Sequence, residues 1–90
     1  MNNSKNGIKK RHANFLRSLH LRYGNIVLGV SISEMARTTS NAISTTVCYL
    51  DRLEEFGYIK VFRISANKKR IEIDEKKYKE LMIELPTLYK

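Results

Sequence analysis

The sequence predicts a small α+β domain: a three-helix core, a two-stranded β hairpin and a C-terminal helix. Three observations carry that expectation. Apolar residues recur at helical spacing over residues 8–23 and 43–57, and each stretch runs up to a glycine. After Gly57, the runs "YIKVFRI" and "RIEID" are rich in β-branched residues and flank a polar turn, "SANKK". Helical spacing then returns in "EKKYKELMIEL" and stops at Pro86.

Taken in order, residues 1–7 ("MNNSKNG") form a polar arm, residues 8–85 the folded domain and residues 86–90 a tail. The first helix buries Ile8, Phe15, Leu16, Leu19 and Tyr23, with His12 and Ala13 filling the stripe and Gly24 as its stop. "NIVLGVSI" follows, of which Val30 to Ile32 is expected to form a brief strand. Ser31 and Glu34 have capping-box spacing, with Ser33 a rival cap, ahead of a short helix in "SEMAR". Thr38, Thr39 and Ser40 make a turn, and Ser40 or Asn41 caps the next helix.

That third helix, residues 41–56, begins in "SNAISTTVCYL", which is poor helix-forming material. A strand reading fails at "DRLEE", whereas a helix places Ile43, Val47, Leu50 and Leu53 on one stripe, with Thr46 and Gly57 falling on it too. The hairpin follows with Ile71 and Ile73 facing in. The last helix carries Tyr78, Leu81, Met82 and Leu85 on one face, which packs either on its own domain or against a second copy. The second option is the expected one, giving a homodimer.

Ninety residues support one small core. A net charge of +8 favours a polyanionic partner. The charge is also segregated. Residues 1–30 hold Lys5, Lys9, Lys10, Arg11, Arg17 and Arg22 with no acid, and residues 58–73 hold Lys60, Arg63, Lys68, Lys69 and Arg70 against Glu72 alone. Between them, Arg37 and Arg52 face Glu34, Asp51, Glu54 and Glu55.

A lone cysteine, Cys48, excludes an intrachain disulfide and a Cys-based zinc site. No apolar run approaches the roughly 18 residues of a membrane span, and the N-terminus is too polar for a signal peptide. The expected setting is therefore cytoplasmic, on the nucleoid, with no membrane partner. There is no Gly-rich phosphate loop and no nucleophile spaced from a base; His12 and His20 have no nearby carboxylate. No enzyme activity, metal, cofactor or small-molecule ligand is expected.

The poor helix formers make sense if one face of the third helix meets something other than protein or water. At about 100° per residue, the face opposite the apolar stripe carries Asn41, Ser44, Thr45, Cys48 and Arg52. Short hydroxyl and amide side chains let a helix approach closely and hydrogen-bond. The major groove of B-DNA admits one helix and offers donors, acceptors and thymine methyls.

Here "SISEMARTTSNAISTTVCYLDRLEEFGYIKV" resembles the core of winged helix-turn-helix transcriptional regulators. In that family "L-x-x-L-E-x-x-G-[LY]-I" closes the recognition helix, and Leu50, Leu53, Glu54, Gly57, Tyr58 and Ile59 match it. The resemblance spans about residues 10–85 and implies base contacts from Ser40, Asn41, Ser44, Thr45 and Cys48. It implies backbone contacts from Lys9, Lys10, Arg11, Arg37, Thr38, Thr39 and Arg52, with Lys5 on the arm. Asn67, Lys68, Lys69 and Arg70 form the wing tip, residues 65–70, on the minor groove or phosphates. The implied function is sequence-specific binding of double-stranded DNA by a small regulator, expected to repress. The alternatives are an architectural, partition or replication protein that coats DNA, and a winged-helix module that binds protein.

Overall fold

The computed structural model describes residues 7–66 and 68–88, and their architecture is α+β, with four helices and one three-stranded antiparallel sheet. Helix α1, Lys10–Tyr23, buries His12, Ala13, Phe15, Leu16 and Leu19 along one stripe. Ile8 is buried just ahead of it rather than within it. The His12 ring closes the first turn, its Nδ1 accepting the Lys9 N–H at 2.9 Å. Gly24 ends the helix at φ 82°, ψ −158°, a conformation that a side chain would strain, and donates its N–H to His20 O.

Strand β1 is Ile26–Ser31, longer and earlier than the brief strand expected at Val30–Ile32. It pairs with β3, Lys68–Ile73, whose other edge pairs with β2, Ile59–Arg63. The expected two-stranded hairpin is thus two-thirds of a sheet in the order β1-β3-β2. What hid β1 is a bulge. The register slips between Leu28 and Val30, at Gly29, which sits at φ 69°. One inserted residue turns Val27 and Val30 to the same side, and both are buried. The sequence therefore lacks the period of two that marks a half-buried strand.

Helix α2, Ile32–Thr39, is capped by the Ser31 hydroxyl, which accepts the Glu34 N–H at 3.1 Å. Thr38 and Thr39, expected in the turn, belong to this helix. Their hydroxyls are both engaged: Thr39 Oγ1 donates to Met35 O at 2.8 Å within the helix, and Thr38 Oγ1 lies 3.1 Å from the Tyr23 hydroxyl of α1. Ser40 ends α2 in the left-handed region, φ 59°.

Helix α3, Ile43–Glu55, starts at an Ala42 cap rather than at Ser40 or Asn41. Its buried line is Thr46, Leu50 and Leu53, with Tyr49 half-buried. Ile43 and Val47, expected in that line, are instead 55% and 41% exposed. Thr46, also expected on the stripe, is buried: its hydroxyl donates back to Ala42 O at 2.9 Å, leaving its methyl for the core. The far end of α3 is held from α4, where Lys77 Nζ donates to Phe56 O at 2.7 Å.

Helix α4, Glu75–Glu84, is capped by Asp74 and runs into a 3-10 turn, Leu85–Thr87, that takes in Pro86. Tyr78 and Leu81, expected on a dimer face, are buried in the chain's own core, with Met82 and Leu85 half-buried against it. The His20 ring stacks on Tyr78 at 4.1 Å and donates from Nε2 to Asn25 Oδ1, whose amide donates to Glu75. That network locks α4 onto α1. Tyr78 and Leu81 are thereby taken up by packing within the chain, with Met82 and Leu85 partly so. Among the described residues, no helix is long and apolar enough to cross a membrane.

Candidate nucleic-acid interface

The outward side of α3 follows from its buried line. With Thr46, Leu50 and Leu53 turned in, Ser44 and Cys48 face directly away, and Ile43 and Val47 form the edge beside them. Asp51 and Glu55 continue the same side one and two turns on, both exposed. Thr45 and Arg52 lie on the opposite edge, Thr45 half-buried. No side chain caps the first turn, whereas Ser31 and Asp74 cap α2 and α4. The front of α3 is therefore small-featured and open to a close approach.

Two basic banks flank that ridge. On one side the start of α1 packs against α3: the Tyr49 ring meets His12 at 5.0 Å and Phe15 at 5.4 Å, both edge to face. Burial, then Arg11, Arg52 and Lys9, push the His12 imidazole down from 6.5 to about 4. The ring is thus neutral near pH 7, and its position reports that Arg11, Arg52 and Lys9 share one neighbourhood. A cleft here is lined by Arg11, Asn14, Phe15 and Ser18 from α1 and by Thr39, Asn41 and Tyr49.

The second bank comes from the hairpin. Lys69 stands opposite Arg63 in the β2–β3 register, and both line a cleft with Ile32, Val47, Leu50, Asp51 and Val61. Alternation along β3 sends Lys68 and Arg70 the other way. Arg70 lies on the outer sheet face between Leu28 and Phe62, its guanidinium paired with Glu72 at 2.7 Å. Of the cations expected at the hairpin tip, Lys69 faces α3, and Arg63 joins it unexpectedly. Lys68 is exposed at the strand end.

Among the expected base contacts, Ser44 and Cys48 are exposed on the ridge. Ser40 is exposed at the α2–α3 turn. Asn41 is half-buried and spends its amide inside that turn, donating to Thr39 O at 3.2 Å and Thr39 Oγ1 at 3.0 Å. It braces the turn, with its NH2 already engaged. Thr38 and Thr39 are likewise engaged through their hydroxyls. Arg37 and Arg52 are exposed at opposite ends of the turn and ridge, and Lys10 is half-buried at the first residue of α1. Lys5 and Asn67 lie outside the described residues.

Sequence reasoning missed Arg63, Asn14, Ser18 and the Ile43–Val47 edge. Strand alternation would have found Arg63, since it shares parity with Val61 and Ile59. The outer sheet face was missed as well: Ile26, Leu28, Phe62 and Ile64 are all about half exposed there or more. Neither the models of known protein families nor the curated proteins compared with the chain match it.

Proposed function

We propose that this chain is a winged helix-turn-helix protein that binds double-stranded DNA with sequence preference and acts as a small transcriptional regulator. One observation carries the reading: a ridge of exposed short side chains, Ser44 and Cys48 with Ile43 and Val47, lies between the Arg11–Arg52 bank and the Arg63–Lys69 bank. A duplex presents that pattern in reverse, with a groove of base edges between two rows of phosphates. The α2–turn–α3 unit would dock with α3 in the major groove. The β2–β3 hairpin would act as the wing, and the cleft at Arg11, Asn14 and Ser18 would take a phosphate. Asp51 and Glu55 repel phosphates, so only the first two turns of α3 would enter.

Repression by occupying a promoter is the simplest action for such a chain. If it works as a homodimer on a pseudo-palindromic site, the contact lies away from Tyr78 and Leu81, which are already packed. Selection of bound duplexes from a random pool, followed by footprinting with the full chain, tests the proposal. One enriched sequence and a discrete footprint are expected. A footprint that spreads with protein concentration supports the coating role instead, and no enrichment with no binding at low salt overturns both.

A further inference from the structure

The first two turns of α3 expose apolar side chains that folding does not require. Ile43 and Val47 are 55% and 41% exposed while Thr46, Leu50 and Leu53 complete the buried line. Both are β-branched, so at exposed helical positions they are worse than Ala for the helix and leave apolar surface in water. They stand one helical turn apart on one edge, beside Ser44 and Cys48.

The surroundings select an occupant. Val47 lines a cleft together with the apolar Ile32, Leu50 and Val61, the cations Arg63 and Lys69, and Asp51. Two cations against one carboxylate favour a polyanion that carries an apolar spot. In the major groove of duplex DNA that spot is the thymine C5 methyl.

We propose that Ile43 and Val47 read thymine methyl groups, while Ser44 and Cys48 beside them meet polar base edges. The inference rests on the duplex-DNA reading above and adds which bases α3 prefers. Residues four apart on a helix are separated by about 6 Å along its axis. Base pairs stack at roughly 3.4 Å, so the two side chains address thymines about two steps apart. The carboxylates of Asp51 and Glu55, further along the same side, confine this reading to the first two turns.

The test uses the full chain and the duplex selected from a random pool, with each thymine replaced in turn by deoxyuridine. That replacement deletes the methyl and keeps the base's pairing edge and its O4 acceptor. Two positions are expected to weaken binding by roughly fourfold each, the worth of one buried methyl. Val47→Ala and Ile43→Ala are exposed substitutions toward a better helix former, so circular dichroism should show an intact fold. Each variant is expected to become indifferent to thymine or deoxyuridine at one of the two positions.

Equal affinity for thymine and deoxyuridine at every position, in a chain that still binds the duplex tightly, overturns the inference and leaves DNA binding intact. Deoxyuridine effects that persist unchanged in both variants also overturn it, since they belong to the DNA's own flexibility. Failure to bind any duplex at low salt removes the DNA reading and this inference together. Binding of an acidic peptide or a second copy in the Val47 cleft, with no thymine effect, assigns that edge to protein.

Discussion

Acidification should loosen this fold through His12 as the pH falls from about 6.5 toward about 4. The ring is buried, accepts the Lys9 N–H at 2.9 Å through Nδ1, and stands near Arg11, Arg52 and Lys9. Protonation would convert that acceptor to a donor facing an N–H, and would bury a charge among cations. Burial first, then the charges of Arg11, Arg52 and Lys9, hold its pKa down at about 4 against 6.5 for the ordinary group. The unfolded chain therefore binds this proton more readily than the folded one. The stabilisation is complete above about pH 6.5 and is lost as the pH falls toward about 4.

The difference is worth at most about 3 kcal/mol, roughly three quarters of which should be gone by about pH 4.5. For a chain of this size that is a large part of the total. Urea unfolding followed by circular dichroism at about pH 7, 5.5 and 4.5 reads the loss as a falling midpoint. His12→Gln can still accept from Lys9 but does not titrate, so it should be less stable at neutral pH and much flatter across this range. Comparing the two chains isolates residue 12. Equal slopes in both would refute this account of His12.

Further outcomes follow from the packing and the two basic banks. Arg63→Ala with Lys69→Ala should weaken binding to all duplexes alike and reduce the logarithmic salt slope by about two, measured by fluorescence anisotropy across roughly 50–200 mM salt. Arg70→Ala, by contrast, should leave the slope unchanged, because that guanidinium pairs with Glu72 on the outer sheet face. Leu81→Ala should cost about 2–5 kcal/mol in chemical unfolding, and Ile83→Ala, 79% exposed on the same helix, close to nothing. Gly29→Ala should cost about 1 kcal/mol in the same assay, from backbone strain alone, since a Cβ there meets no atom within 4 Å.

Much of the α+β order was legible because strong local signals agreed. Gly24 sits at the predicted stop of α1, Ser31 caps α2 through Glu34, and Ile71 and Ile73 face inward on β3. Two features escaped for physical reasons. Gly29 breaks the alternation of β1, so a strand with two inward valines three residues apart does not read as one. The stripe on α3 was legible only in part: Thr46, Leu50 and Leu53 lie buried as expected, whereas Ile43 and Val47, which look like core by hydropathy, are exposed at its edge. The local bond from Thr46 to Ala42 O makes the threonine a good core residue. The candidate site suffers from the same misplacement of Ile43 and Val47. Ser44 and Cys48 are exposed, but their apolar neighbours were assigned to the interior; the Asn41 amide is engaged in the turn, Thr39 within α2 and Thr38 with Tyr23 of α1. Composition could not reveal the ion pair that occupies Arg70, since it depends on which face of the sheet each cation takes.

Amide chemical shifts of the isotope-labelled chain, titrated with its selected duplex at low salt, test the central claim most directly. The account expects the largest changes at Ile43, Ser44, Val47 and Cys48, with Arg11, Arg63 and Lys69 flanking them and Ile83 unmoved. Changes centred on Leu28 and Phe62 of the outer sheet face, or none anywhere, would contradict it.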